Sequence, residues 1–246
     1  MIYFVTGGSR GIGAAIVLQA IREGHDVAFT FRENEERAKQ VVEKARAIAP
    51  DRKCRAYCMD VRDPAQVDRV GNQVLDDFET VHVVVNNAGI NRDNLAVSMS
   101  DEEWQDVIAT NLSGPFYVAR HFLTTMLANK FGRIISISSV SATGSTGQAN
   151  YAAAKAGLTG LTRTLAKEYG RKGITANLIV AGWFETEMTK ATMAEASQQF
   201  WLNLCPKRRM GTLDELSRVV TFLGSPAAEF INGAEIPVTG GLDHAP

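Results

Sequence analysis

The chain has 246 residues, of which 45% are hydrophobic and 22% are charged, which excludes wholesale disorder and allows a substantial core. Its 26 basic and 27 acidic side chains give a net charge of −1, so no overall field favours nucleic acid or an anionic membrane. The apolar stretches are too short to span a bilayer and the first residues form a strand, so we expect a cytoplasmic protein.

Neither the cysteines nor the histidines indicate a metal site. The three cysteines, Cys54, Cys58 and Cys205, contain no CxxC pair, and the four histidines are scattered along the chain. We expect free thiols and no metal.

Apolar, β-branched segments alternate with helical segments along the chain. This alternation is typical of a parallel sheet with helices on both faces. With no linker or repeat to divide it, residues 1–246 are predicted to form a single α/β domain, a Rossmann-like doubly wound sheet of about seven strands. The predicted strands are 2–5, 27–31, 54–59, 81–85, 133–139 and 174–180, and the predicted helices are 13–23, 34–49 and 152–169, with capping boxes at 100–103 and 212–215.

Residues 183–210 break this alternation. They follow a strand and carry Thr, Glu, Met and aromatic residues. Because segments after the carboxyl ends of parallel strands build the ligand crevice, we predict a substrate lid here, with a plain surface excursion as the alternative.

A glycine-rich turn follows the first strand and opens the first helix. Gly7 suits the sharp turn, Gly11 allows a pyrophosphate to approach the backbone, and Gly13 allows the helix to pack closely on the strand. The spacing Gly-x3-Gly-x-Gly differs from GxGxxG, yet it still predicts a dinucleotide site.

The end of the second strand favours NADP(H) over NAD(H). In NAD-binding chains an Asp or Glu at the end of this strand usually holds the ribose 2′-hydroxyl. Here Arg32 occupies the end of the strand, and Glu33 lies one residue beyond it. Arg32 and Arg10 can pair with a 2′-phosphate instead.

Tyr151 and Lys155 stand four residues apart on one predicted helix, so their side chains share a face. A neighbouring ammonium stabilises a phenolate and lowers the pKa of the tyrosine. Asn111, the pair Ser138-Ser139 and residues 86–89 fall at or beyond strand ends of the same sheet, where its crevice should lie.

Together these motifs resemble the short-chain dehydrogenase/reductase family, and within it the 3-oxoacyl-[acyl-carrier-protein] reductases. The resemblance runs through residues 6–13, 60–61, 86–89, 111, 137–139, 147–157, 185–188 and 232–241. It implies NADPH-dependent reduction of a 3-oxoacyl thioester to the 3-hydroxyacyl thioester. A dehydrogenase of another secondary alcohol, or a non-catalytic nucleotide-binding protein, remain the alternatives.

The resemblance also implies residue roles. Tyr151 would protonate the substrate carbonyl, Lys155 would hold the nicotinamide ribose, and Asn111 would position a water that links Lys155 to solvent. Asp60 and Val61 would flank the adenine, Asn87 and Gly89 the adenosine ribose, and Thr186 would reach the nicotinamide amide. The implied cofactor-binding residues are Gly7, Ser9, Arg10, Gly11, Ile12, Gly13, Arg32, Asp60, Val61, Asn87, Ala88, Gly89, Tyr151, Lys155, Gly182, Phe184 and Thr186.

Two departures from the family pattern concern the site. The usual spacing to the tyrosine selects Ser138 as the active serine, whereas the strand pattern selects Ser139. We favour Ser139, because a loop tolerates a deletion and a strand register does not. Relatives usually have Pro-Gly where this chain has Ala181-Gly182, and the following pair 183–184 either shapes the acyl pocket or packs in the core.

Two surfaces suggest partners. The resembling reductases use basic residues at the positions of Lys130 and Lys172 to dock an acidic acyl carrier protein, and an ordinary solvated charge cluster is the alternative. Small residues along helix 152–169 predict close contact with another helix. By resemblance that helix belongs to a second subunit of a homotetramer, while an internal helix is the alternative.

Overall fold

The structure, a computed structural model, describes residues 1–185 and 195–242. Seven parallel strands form one sheet in the order β3-β2-β1-β4-β5-β6-β7, with helices on both faces, as predicted. The strands are β1 (Ile2–Val5), β2 (Asp26–Phe31), β3 (Cys54–Cys58), β4 (Val83–Asn86), β5 (Gly132–Ser139), β6 (Ile174–Ala181) and β7 (Glu235–Val238). The helices are α1 (Gly11–Arg22), α2 (Glu35–Ile48), α3 (Pro64–Phe78), α4 (Asp101–Ile108), α5 (Gly114–Asn129), α6 (Ala149–Tyr169), α7 (Glu195–Leu204) and α8 (Leu213–Gly224).

The chain begins in the middle of the sheet. It winds outward through β2 and β3, returns to β4 beside β1, and then winds outward the other way to β7. The order reverses between β1 and β4, and a ligand crevice is expected outside the carboxyl ends of strands at such a switch point. Strands from both ends of the sequence therefore belong to one sheet.

Side chains that alternate along the strands supply two cores. Tyr3 and Val5 of β1 pack with α1, α2 and α8 on one face, while Phe4 packs with α3 and α5 on the other. Successive strand residues point to opposite faces, so a strand covered on both faces is apolar throughout.

Side-chain caps fix where several helices begin. Ser100 with Glu103, and Thr212 with Glu215, form the two predicted capping boxes at α4 and α8. Asp63 accepts from the backbone amides of Ala65 and Gln66 at the start of α3.

The predicted lid overlaps α7 and the turn that follows it, and residues 186–194 of that segment lie outside the described part of the chain. Throughout the described ranges, no helix is long and apolar enough to cross a bilayer. The same ranges hold no cluster of three potential metal-binding side chains, and the three cysteines are free thiols.

Candidate active site

The glycine-rich turn is packed too tightly for larger residues. Gly7 and Gly11 adopt φ of 68° and 54°, in the region that favours glycine. A Cβ built on Gly13 would lie 2.2 Å from the carbonyl oxygen of Gly7. The first turn of α1 is thereby held against the end of β1.

The amino end of α1 carries no side-chain cap. Arg10 occupies the N-cap position in an extended conformation and makes no capping hydrogen bond, and no acid lies in the first turn. Free N–H groups and the positive end of the helix dipole suit an anion. The half-buried Ser9 and Ile12 flank this end, which fits the phosphates of a dinucleotide.

Residues after β4 brace the glycine-rich turn. The side-chain amide of Asn87 donates to the carbonyls of Thr6 and Gly7 at 2.9 and 3.1 Å. The Thr6 hydroxyl accepts from the backbone amides of Asn87 and Ala88, both at 3.0 Å. Sequence reasoning missed Thr6, because its partners lie about eighty positions away along the chain.

At the end of β3, Asp60 is held by a residue that the sequence did not single out. Nη2 of Arg62 lies 2.7 Å from Oδ2 of Asp60, and Nη1 lies 2.7 Å from Oδ1 of Asp106 on α4. Burial raises the pKa of Asp60, but the hydrogen bonds from Arg62 outweigh it and keep that pKa below its ordinary value. The pair lies beside buried Val61, and Arg62 ties the segment after β3 to α4.

Arg32 and Arg10 lie on the crevice edge of the sheet. Arg32 forms an ion pair with its neighbour Glu33 and its side chain is 39% exposed, so the guanidinium can reorient toward another anion. Arg10 is exposed at the start of α1. Pairing of Arg32 and Arg10 with a 2′-phosphate stays a prediction.

Tyr151 and Lys155 of α6 face the carboxyl end of β5. The Ser139 hydroxyl lies near the Tyr151 phenol and acts to lower the pKa of that phenol. The Lys155 ammonium is 5.5 Å from the centroid of the Tyr151 ring and donates to the carbonyl of Ile137 at 2.7 Å. A hydroxyl, a phenol and an ammonium therefore converge where the crevice was predicted.

Burial controls the protonation of this cluster. It lowers the pKa of the Lys155 ammonium to about 8. Burial also raises the pKa of the Tyr151 phenol. The nearby Ser139 hydroxyl acts to lower this pKa, and the Asp93 carboxylate raises it further. Desolvation outweighs any lowering by Lys155, so the pKa of Tyr151 is raised where a lowered one was expected.

The two candidate serines point to different partners. The Ser138 hydroxyl is 2% exposed and donates to the backbone carbonyl of Lys155 at 3.2 Å, so it fixes β5 against α6. Ser139 is only half-buried, lies near the Tyr151 phenol and accepts from the backbone amide of Ser141 at 3.1 Å. The geometry favours Ser139 as the residue available to a substrate.

Asn111 lies in a π-helical turn, Ala109–Ser113, between α4 and α5. Such turns often occur at functional sites. Its fully buried amide accepts from the Ile90 amide and donates to the Ile90 carbonyl, both at 2.9 Å. This fixes the segment around Gly89, where a Cβ would lie 3.7 Å from Nζ of Lys155. Gly89 thus lies on the catalytic side of the crevice, whereas the resemblance implied the adenosine side.

Asn150 is a further site residue that the sequence reasoning missed. Its side chain is fully buried and donates to the carbonyls of Arg92 and Glu103 at 2.9 and 3.1 Å. Its Oδ1 accepts from the backbone amide of Tyr151 at 2.7 Å. Asn150 therefore joins the start of the catalytic helix to the segment after β4 and to α4.

The segment after β6 closes against the carboxyl end of β7. A Cβ on Gly182 would lie 2.6 Å from Cα of Thr239, so only glycine fits there. Phe184 is 4% exposed and belongs to the core. Trp183 is half-buried with its ring centroid 6.0 Å from that of Trp201 on α7. Thr186, predicted to bind the cofactor, lies outside the described residues.

Lys130 and Lys172 are neighbours at the opposite end of the sheet. Both are exposed, and the backbone of Lys130 lies against Gly173, where a Cβ would be 2.2 Å from the Lys130 carbonyl. On α6, Gly157 packs against Leu112 within the chain, whereas Gly160 has open space beside it. The small-residue face thus packs against the chain itself at Gly157, whereas at Gly160 no residue of the described ranges lies within 4 Å of an added Cβ.

Comparison with known proteins agrees with this geometry. A family model described as "Enoyl-(Acyl carrier protein) reductase" matches residues 7–243. The chain is 41% identical over 239 residues to the 3-oxoacyl-[acyl-carrier-protein] reductase FabG of Staphylococcus aureus (strain Mu50), covering 97% of this chain and 96% of that protein. It is 40% identical over 242 residues to the FabG of Salmonella typhimurium (strain LT2), covering 98% and 96%.

A solved structure extends this similarity to three dimensions. The crystal structure of levodione reductase matches with a TM-score of 0.95 at 30% sequence identity, over 100% of this chain and 98% of that one. The family match over residues 7–243 and these relatives, similar over nearly their whole length, lead to one conclusion: the chain belongs to the short-chain dehydrogenase/reductase family.

Proposed function

We propose that the protein reduces a 3-oxoacyl thioester, carried by an acyl carrier protein, to the 3-hydroxyacyl thioester with NADPH. The observation that carries this proposal is the convergence of Ser139, Tyr151 and Lys155 beside the crevice. Two reductases named for this reaction are 41% and 40% identical to the chain over nearly its whole length.

The residues present fit an NADP(H) molecule. The uncapped amino end of α1 would hold the pyrophosphate, and Arg10 with Arg32 would pair with the 2′-phosphate. Lys155, with Gly89 beside it, would hold the nicotinamide ribose. When bound, NADPH supplies the hydride that adds to the carbonyl carbon.

The side chains then stabilise the negative charge that develops on the carbonyl oxygen and neutralise it by proton transfer. Ser139 and Tyr151 donate hydrogen bonds to this oxygen, and Tyr151 transfers its proton to it. Because the pKa of Tyr151 is raised, the phenol holds its proton at neutral pH and serves as an acid in the reduction direction. The Lys155 ammonium stabilises the phenolate that remains, since charges attract strongly in a buried site. Asn111 holds the segment that borders Lys155, and it would position a water that links Lys155 to solvent.

Two other reductions are supported by specific comparisons. Levodione reductase, with nearly the same fold, is named for a ketone rather than a thioester. The family model is described by an enoyl reduction, in which a carbon–carbon double bond is reduced. A hydroxyl and a phenol that lie side by side, as Ser139 and Tyr151 do, are well placed to bind a substrate oxygen, which favours a carbonyl.

Docking of the carrier protein at Lys130 and Lys172 belongs to the proposal. The two lysines are exposed neighbours, and acyl carrier proteins are acidic. Both lysines precede strands, so they lie at the end of the sheet away from Ser139, and they would serve the crevice of a neighbouring subunit. We propose a homotetramer for this reason, with the open face at Gly160 on α6 as a contact.

Initial rates on a substrate panel test the function. The panel comprises acetoacetyl-carrier protein, acetoacetyl-CoA, a 2-enoyl thioester and a free ketone, each with NADPH and with NADH. We expect the highest kcat/KM for acetoacetyl-carrier protein with NADPH, and loss of this rate in Tyr151→Phe. A higher kcat/KM for the enoyl thioester or the ketone, or full activity of Tyr151→Phe, would overturn the proposal.

A further inference from the structure

Three consecutive basic residues follow α7 on the crevice edge of the sheet. We call residues 207–209 the basic loop. The backbone amide of Lys207 donates to the Gly240 carbonyl at 3.2 Å, and that of Gly211 donates to the Trp183 carbonyl at 2.8 Å. These two carbonyls lie just beyond β7 and β6, so the basic loop is bound to the carboxyl ends of both strands.

The basic loop lies on the same edge of the sheet as the catalytic serine. Ser139 pairs in register with Ala181, and Ala181 pairs with Val238. Neighbouring strands are roughly 4.8 Å apart, so the ends of β5 and β7 are about 10 Å apart. By contrast, β5 takes seven steps from Gly132 to Ser139, which at about 3.3 Å per residue places Gly132, two residues after Lys130, roughly 23 Å from Ser139.

Two of the three charges in the basic loop are not compensated. Arg209 is neutralised by Glu215, with Nη2–Oε1 and Nη1–Oε2 distances of 2.6 and 2.8 Å. Hydrogen bonds from Arg209 help to lower the pKa of Glu215 to about 2, so this pair stays charged and closed at neutral pH. No ion pair within residues 1–185 and 195–242 includes Lys207 or Arg208, and both side chains are exposed.

The backbone presents Arg208 in an uncommon conformation. Its φ is 54°, in the left-handed region, which costs an L-residue other than glycine about 1–2 kcal/mol. Its guanidinium donates to the backbone carbonyl of Asn203 at 2.7 Å, which fixes the side chain on the surface. If this position served only to turn the chain, glycine would adopt the same φ at a lower conformational cost. An arginine kept here despite that cost, with its charge unneutralised, suits a binding role.

Lys207 also borders the approach to the crevice. Together with Trp183 and Gly241 it lines a cavity of about 310 Å³. Trp183 follows β6 two residues after Ala181, whose partner in the ladder is Ser139. A partner that contacts Lys207 therefore lies next to the segment that leads to the catalytic cluster of the same subunit.

We infer that Lys207 and Arg208 dock an acidic protein surface, that of the carrier which delivers the thioester. This inference rests on the proposed function and adds a docking site on the crevice side of the same subunit. Long-range attraction between opposite charges raises association rates, and close charge pairs slow dissociation.

The test compares two charge reversals. The variant Lys207→Glu with Arg208→Glu is matched by Lys44→Glu with Arg46→Glu, an exposed basic pair on α2 whose reversal should leave carrier binding unchanged. Each is assayed with acetoacetyl-carrier protein and with a small uncharged acetoacetyl thioester, and binding of the carrier protein is measured separately by titration calorimetry at low salt. Lys207→Arg with Arg208→Lys keeps both charges and controls for local structure.

We expect the first variant to lower kcat/KM for the carrier-bound substrate at least tenfold through KM, to weaken carrier binding equally, and to change the small thioester less than twofold. The charge-keeping variant should retain carrier binding. Unchanged carrier binding in the first variant, or an equal loss on both substrates, would overturn the docking site while the proposed function stands. A wild-type protein that reduces the free ketone but neither thioester would instead refute the proposed function.

Discussion

The Lys155 ammonium lies 5.5 Å from the centroid of the Tyr151 ring and donates its hydrogen bond to the carbonyl of Ile137. The positive charge is thus held close to the phenol, and the ammonium does not use the phenolic oxygen as its hydrogen-bond acceptor. That oxygen remains available to Ser139 and to a substrate carbonyl. The same burial lowers the pKa of Lys155 to about 8, which places its titration in an accessible range.

This arrangement predicts how reduction depends on pH. Lys155 carries its charge below about pH 8 and loses it above, whereas Tyr151, with its raised pKa, keeps its proton through that range. Above pH 8 the phenolate formed by proton transfer loses its neighbouring charge. We therefore expect kcat/KM for a small ketoester to be constant between pH 6 and 7 and to fall above pH 8. A profile that stays flat up to pH 9.5 would contradict this, and Lys155→Met should show low activity with no such decline.

The two serines should respond differently to substitution. Ser139→Ala removes a hydrogen-bond donor to the developing oxyanion, a change that costs about 10²–10³ in kcat at comparable sites. Ser138→Ala removes the bond to the Lys155 carbonyl and should cost about 1 kcal/mol of stability with less than a fivefold change in kcat. Steady-state rates and thermal unfolding of both variants provide the measurement. The opposite ranking of the two kcat values would assign the active role to Ser138.

Asn150 should position Tyr151 rather than contact the substrate. Asn150→Asp keeps the shape of the side chain but cannot donate to the carbonyls of Arg92 and Glu103. An unsatisfied buried group costs about 1–3 kcal/mol, so we expect a lower unfolding temperature. We also expect kcat to fall at least tenfold with an unchanged KM for NADPH, because the helix start moves while the phosphate site does not.

A matched control for Asn150 is available at Asn129. Its side chain is exposed and donates to the Thr80 hydroxyl far from the crevice. Asn129→Asp should leave kcat and the unfolding temperature nearly unchanged. If Asn150→Asp behaves in the same way, the positioning role is wrong.

Arg32 should discriminate between the two nicotinamide cofactors. A charge-assisted hydrogen bond contributes about 1.5–3 kcal/mol, so Arg32→Ala should raise the KM for NADPH by roughly ten- to a hundredfold. The KM for NADH should change less than threefold, because NADH lacks the 2′-phosphate. Arg46→Ala, an exposed position on α2, is the control. Equal effects on both cofactors would place the 2′-phosphate elsewhere.

The sequence predicts those parts of the site whose conformation depends only on residues a few positions away. The turn at Gly7 and Gly13 and the pair Tyr151 and Lys155 follow from short-range spacing, because backbone conformation and helix periodicity act over a few residues. The alternation of strands and helices predicted the parallel sheet for the same reason. The choice of Ser139 came from strand register, and the structure places Ser138 against the backbone of α6.

Other features depend on residues that only the folded chain brings together. The hydrogen bond from Arg62 to Asp106 spans 44 positions, and that from Asn150 to Arg92 spans 58. The raised pKa of Tyr151 likewise reflects burial, which no local pattern reports. The sequence alone determined the fold class, the cofactor turn and the type of chemistry, because these depend on local propensity and spacing. The tertiary structure decided which polar groups are paired and which charges remain free, since pairing and desolvation depend on distances across the fold.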